Sequence, residues 1–198
     1  KGEYIARMDG DDLSMPERLQ RQVEYLDTHL DIDLCGSYIS DVSGNKLDWQ
    51  LELNSGQIYS DIIFFSPCVH PTIMFRARLI EKMHIEYSSD FVASEDYDFF
   101  EKICSVGKII NLPQILLCYR LHSDNATERN RNIGANLYKQ VMNRVFIKMG
   151  LTLSAEDLSL LSPHECMKGA QGKEILKRLV RLDQLLKKIL LTNEKKCL

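Results

Sequence analysis

The hydrophobic and polar positions change period several times along the chain. Tyr4 to Met8 is a short apolar-rich run between Gly2 and Gly10, which predicts a buried strand. Ser14-Met15-Pro16-Glu17 has the form of a capping box, with proline suited to a first helical turn. It predicts a helix running to about Thr28 with Leu19, Val23 and Leu26 on one face. Ile32 to Val42 reads as a strand closed by the turn Ser43-Gly44-Asn45. A short helix over Gln57 to Phe65, a buried strand over Thr72 to Phe75 and a helix from Ala77 to Met83 follow. Ser94 is placed to cap a helix from Glu95 to Val106, stopped by Gly107. Lys108 to Asn111 and Ile115 to Arg120 read as two strands broken at Pro113. Beyond the polar stretch Ser123 to Thr127, helices are expected over 128–149 and 155–161.

The end of the chain has a different pattern. Ile175, Leu179, Leu182, Leu186 and Ile189 alternate in four- and three-residue steps, a heptad stripe. Eight basic side chains against three acidic ones lie between Lys173 and Lys196. Such a helix can lie on an anionic membrane face, or pack on its own domain or a partner subunit.

Composition changes this picture little. The chain has 198 residues, a net charge of -3 and 44% hydrophobic residues, which suits one soluble domain with appendages. No apolar run approaches a membrane span, and no signal peptide is recognisable. The charge balance makes no case for nucleic-acid binding. The six cysteines lie far apart without a Cys-x-x-Cys pair, so they read as reduced, buried small hydrophobes of a cytosolic chain.

Candidate chemistry gathers in two acidic stretches. Asp9, Asp11 and Asp12 crowd around Gly10 at the end of the first apolar run. Crowded carboxylates repel one another, and a hard divalent cation reverses that cost. An acidic turn capping the next helix is the other reading. Glu95-Asp96 opens a helix, where carboxylates favour the dipole with or without a catalytic role.

Four ordered stretches then carry a resemblance. Gly2 to Leu19 resembles the Asp-x-Asp region of family 2 glycosyltransferases of the GT-A fold. His70 to Phe75, Ser94 to Phe100 and Tyr119-Arg120-Leu121-His122 resemble later parts of such a catalytic domain, in the same order. The resemblance implies an α/β fold: a GT-A-like, Rossmann-like mixed sheet flanked by helices, lacking its first strands, plus a helical C-terminal extension. The division is residues 1–125 for a partial catalytic domain, N-terminally truncated, and 126–198 for the extension.

By the same resemblance, the activity is metal-dependent transfer of a sugar from a nucleotide-diphosphate donor to a saccharide or lipid-linked acceptor, with inversion. Asp11, aided by Asp9, would hold Mn²⁺ or Mg²⁺ and the donor, and His122 would reach the metal or diphosphate. Asp96 would act as general base, with Glu95 as its alternate. The setting implied is surface polysaccharide synthesis in the cytoplasm, at the inner membrane face, with peripheral membrane contact or homo-oligomerisation through the last helix. A reading from another class is a non-catalytic interaction module made from a truncated enzyme, inactive as a fragment.

Overall fold

The structure is a computed structural model that describes residues 2–47, 62–64, 66–121, 131–162 and 173–194. Its strands are β1 (Tyr4–Ala6), β2 (Leu13–Ser14), β3 (Leu34–Ser40), β4 (Met74–Arg76) and β5 (Ile109–Cys118). They form one five-stranded sheet in the order β1-β4-β3-β5-β2. β3 and β5 run parallel, and the other pairs are antiparallel. The helices are α1 (Arg18–Thr28), α2 (Arg78–Glu81), α3 (Glu95–Cys104), α4 (Arg131–Lys148), α5 (Ala155–Leu161) and α6 (Lys173–Glu194). This is the GT-A-like mixed sheet with flanking helices that the resemblance implies.

β3 is buried at every position, as befits a central strand with apolar layers on both faces. Cys35 faces one layer, with Leu26, Ile32, Met74, Leu112 and Leu116. Leu34 faces the other and larger layer, where α3 supplies Phe99, Phe100 and Ile103. α4, α5 and α6 pack into that same layer through Val141, Met142, Phe146, Leu160, Leu161, Leu185 and Ile189.

Several sequence expectations are corrected. The first strand is an edge strand among the described residues, and Ile5 and Met8 are exposed rather than buried. The capping box does not form. Leu13 and Ser14 pair with Cys118 and Leu117 of β5, and Met15 N donates to Leu116 O at 3.0 Å, so the sheet claims this backbone. The helix consequently starts at Arg18. Its inward face is Arg18, Gln22 and Leu26, whereas Leu19 is exposed.

The two strands expected around Pro113 are one strand, β5. The register jumps from Ser37↔Leu112 to Tyr38↔Ile115, so Pro113 sits in a bulge where its missing N–H breaks no ladder bond. The short helix expected over 57–65 falls largely outside the described residues.

The heptad stripe is corrected too. α6 buries Leu185 and Ile189 and half-buries Leu182, while Leu179 and Leu186 are exposed. Spacings of three, four and seven put 182, 185 and 189 on one face of a 3.6-residue helix. Arg181 donates through Nε and Nη2 to both Asp157 oxygens of α5, at 2.8 and 2.9 Å, and so fixes the rotation of the helix. The side chain of Ile175 lies outside the described residues.

Candidate active site

The site begins where β1 ends. Arg7 N donates to Ile73 O at 3.0 Å, which ties this end to the turn before β4. Arg18, 1% exposed, reaches across from α1. Its Nη2 donates to Arg7 O at 2.6 Å and to Ile73 O at 3.4 Å, and its Nε donates to Gln22 Oε1 at 3.1 Å. Gln22 Nε2 continues to Thr72 O at 2.7 Å. Burial lowers the guanidinium pKa, so this cation is present because its fork satisfies three acceptors that apolar packing would orphan.

The chain then turns through the acidic loop. Asp9, Asp11 and Asp12 each offer a ligand oxygen, and these oxygens lie within 4.8 Å of one another. Asp9 is held by Arg7 in a two-pronged pair, at 2.6 and 2.9 Å. Asp11 is exposed and Asp12 is buried. Asp12 does not cap α1. Its Oδ1 accepts the N–H of Arg120 at 2.9 Å, while Oδ2 is buried with no partner. Burial raises the Asp12 pKa, and the charges of Asp11 and Asp9 add to that. A Cβ built on Gly10 would meet nothing within 4 Å, so the space before the loop is open.

Three clustered oxygens with one orphaned in the interior fit a hard divalent ion, which favours oxygen ligands. The late motif arrives at the same place, since Arg120 N bonds Asp12 and the charges of all three aspartates act on Tyr119. His122 lies outside the described residues.

The second acidic stretch is the first turn of α3. Asp96 Oδ2 accepts the hydroxyl of Ser66 at 3.2 Å. Its pKa is raised, chiefly by burial and further by the neighbouring charge of Glu95. Glu95 Oε2 is itself buried without a partner. Asp98, in the same turn, is fully buried. It pairs with Arg144 of α4 and with Lys102 Nζ at 2.7 Å. Ser94 does not cap α3, because its hydroxyl donates to Gly134 O of α4 at 2.9 Å.

His70 and Tyr87 bridge the two stretches. His70 belongs to the turn that precedes Ile73, and its Nε2 shares a hydrogen bond with Tyr87 OH at 2.9 Å. The Tyr87 ring stacks on Phe99 of α3 with centroids 4.2 Å apart. Burial and the charge of Arg7 lower the His70 pKa to about 3, so the ring is neutral at physiological pH. Burial raises the Tyr87 pKa to about 12, the charge of Arg7 opposes that rise, and the charges of Asp96 and Glu95 add to it.

Asp9 and Asp11 are thus brought together with Asp12, while Glu95 and Asp96 form a separate pair whose charges act on Tyr87. Sequence reasoning missed Arg7, Ser66, Tyr87 and Tyr119. Arg7 carried a signal, a lone cation in an apolar run just before the aspartates. Ser66 carried none.

Comparison with known proteins follows this geometry. Residues 1–87 match the sequence model of Glycosyl transferase family 2. That match takes in the acidic loop and covers under half of the chain, and over it the chain is similar to the family. An uncharacterized glycosyltransferase of Methanocaldococcus jannaschii is 33% identical over 135 residues, 65% of this chain and 46% of that protein. The O-antigen biosynthesis glycosyltransferase WbnJ of Escherichia coli is 35% identical over 128 residues, 62% of this chain and 49% of its own. The amylovoran biosynthesis glycosyltransferase AmsE of Erwinia amylovora is 28% identical over 151 residues, 74% of this chain and 54% of its own. The chain spans about half the length of these curated relatives. The crystal structure of S. aureus TarS 1-349 in complex with UDP-GlcNAc shares the fold, with a TM-score of 0.57 and 18% identity, over 81% of this chain and 47% of that one. No described helix is long and apolar enough to cross a membrane.

Proposed function

We propose that this chain carries the acceptor side and the metal loop of a glycosyltransferase that moves a sugar from a nucleotide-diphosphate donor to an acceptor hydroxyl, with inversion. One observation carries the proposal. Two acidic stretches distant in sequence each have a buried carboxylate oxygen without a partner, and Tyr87, bonded to His70, feels the charges of Glu95 and Asp96 as well as that of Arg7, the partner of Asp9. Folding alone gains nothing from such oxygens.

Asp9 and Asp11, with Asp12, would hold Mn²⁺ or Mg²⁺. When bound, the ion supplies charge neutralisation for the departing diphosphate. Arg7 orients Asp9 through its two-pronged pair. Asp12 is locked to the Arg120 backbone, which keeps the loop from collapsing on itself.

Asp96 takes the proton from the acceptor hydroxyl as its oxygen forms the new bond to the anomeric carbon. The bond from that carbon to the diphosphate oxygen breaks on the opposite side, and the diphosphate leaves with the electron pair. Burial suits Asp96 to this work, because a raised pKa brings a carboxylate closer to the proton affinity a base needs. Neutral His70 and Tyr87 offer hydrogen-bonding groups to sugar hydroxyls without adding charge.

The UDP-GlcNAc complex of TarS supports a nucleotide-sugar donor. The names of AmsE and WbnJ support polysaccharide synthesis as the setting. Exposed Leu179, Leu186, Leu190 and Leu191 on α6, beside Lys177, Lys187 and Lys188, support peripheral contact with a membrane face or a second copy. The test is UDP release from a panel of UDP-sugars, followed by anomeric analysis of the product by NMR. An inverted product lost in Asp96→Asn is expected. A retained configuration, or full turnover by Asp96→Asn, overturns the proposed mechanism.

A further inference from the structure

The helix α4 stands well away in sequence from both acidic motifs, yet it reaches the surroundings of Asp96 at two points. Gly134 lies against the backbone just before α3. A Cβ built there would stand 2.9 Å from Ala93 O, and the Ser94 hydroxyl donates to Gly134 O at 2.9 Å. Ala93 has φ 63, a left-handed conformation that a non-glycine residue adopts only when its surroundings hold it there. Tyr138, one turn further along, stacks on Tyr97 with ring centroids 4.2 Å apart. Its hydroxyl donates to Phe64 O at 2.8 Å. Tyr97 OH donates to Ile62 O at 2.6 Å. Two tyrosines, one on α3 and one on α4, therefore fasten the 62–64 segment. Two residues beyond it, the Ser66 hydroxyl lies 3.2 Å from Asp96 Oδ2 and 3.3 Å from Cys68 O, and its one proton goes to the charged acceptor, the carboxylate.

We propose that Ser66, Tyr138 and Gly134 are positioning residues for the Asp96 carboxylate, so that α4 is a working part of the site. Ser66 fixes the rotamer of the carboxylate. Tyr138 fixes the backbone that presents Ser66. Gly134 fixes the turn from which α3 starts. The proposal rests on the assignment of Asp96 as the base, and its test separates the two.

The groups facing Asp96 are Glu95 on its own helix, Tyr87 from the loop before α3, Tyr138 from α4 and the Ser66 hydroxyl. A hydrogen bond donated to the charged form holds a carboxylate pKa down. The experiment is a ¹³C NMR titration of the Asp96 carboxyl in this chain, for wild type, Ser66→Ala, Ser66→Thr and Tyr138→Phe. Ser66→Ala is expected to move the Asp96 midpoint upward, and Ser66→Thr, which keeps the hydroxyl, to return it. Tyr138→Phe keeps the ring stack and removes only the anchor to Phe64 O, so a smaller upward move is expected. In UDP release, Ser66→Ala and Tyr138→Phe are expected to lower kcat about tenfold at unchanged donor KM.

Midpoints equal to wild type in both Ser66→Ala and Tyr138→Phe overturn the proposal. Full turnover by Asp96→Asn overturns the base assignment alone, since the titration reads the position of the carboxylate whether or not it accepts a proton in the reaction.

Discussion

Asp96→Asn removes a charge that folding opposes. The carboxylate is packed at the start of α3 beside Glu95, and its pKa is raised from 3.8 by burial first and by that neighbouring charge second. An amide of the same shape drops both unfavourable contributions, and its single oxygen gives up one of the bonds now accepted from Ser66 and from the Tyr97 N–H, which keeps the net gain small. The sign follows from linkage. A carboxyl whose folded pKa lies above its unfolded value binds its proton more tightly when folded. Its ionisation therefore destabilises the fold as pH rises above the unfolded value near 3.8, and the full cost is present above the folded value. At pH 7 the variant is expected to be more stable by about 1 kcal/mol, a typical gain when a functional site is relieved of strain. For a chain of this length that is a rise in Tm of roughly 2–4 °C. Below the ordinary aspartate range the wild-type group is already neutral, and the two proteins should unfold together. Thermal unfolding followed by circular dichroism at pH 7 and at about pH 3, below the unfolded value, reads both points. Turnover should meanwhile fall by about 10²-fold or more, the usual contribution of a general base. A variant less stable than wild type at pH 7, or a gap that does not close in acid, refutes the reasoning.

Other consequences follow from the packing. Arg18→Met deletes the fork that satisfies Arg7 O, Ile73 O and Gln22, and urea unfolding should register a loss of about 2–4 kcal/mol. Arg144→Met leaves buried Asp98 with Lys102 alone, and a loss of about 2 kcal/mol is expected, recovered in large part when Asp98→Asn is added. Leu185→Ala should cost about 2–4 kcal/mol because the side chain is 3% exposed in the main core, whereas Leu190→Ala, 62% exposed, should change stability by less than about 0.5 kcal/mol. Equal costs in that pair would refute the orientation given to α6.

The sequence was most legible where local chemistry and tertiary packing agree. α5 was legible at 155–161, and the structure shows a cap that is equally local, with Ser154 accepting the N–H of Asp157 at 3.1 Å. The turn at Ser43-Gly44-Asn45 was legible because Asp41 and Gly44, at φ 85, serve it locally. Elsewhere a distant partner took over the local signal. Ser14 was drawn into the sheet by β5, and Ser94 was drawn to α4 by Gly134. The α1 face was misread because Arg18 and Gln22 are buried to bond backbone carbonyls, which no hydrophobic pattern reports. The heptad stripe of α6 names only part of its packed face, because docking on its own domain selects the 3.6-residue face of Leu182, Leu185 and Ile189. Within the site, the motif aspartates were legible as acidic residues with nothing apolar to do. Ser66 and Tyr138 were not, because a single donor brought in by the fold leaves no spacing to read.

The loop of Asp9, Asp11 and Asp12 is proposed to hold a metal ion and the donor diphosphate together. Calorimetric titration of UDP with Mn²⁺ present, and again with a chelator in its place, tests it in wild type and Asp11→Ala. Binding that requires the ion and is lost in Asp11→Ala is expected, with the unfolding transition of that variant unchanged because Asp11 is exposed. UDP binding that is indifferent to the metal, or undiminished in Asp11→Ala, would contradict it.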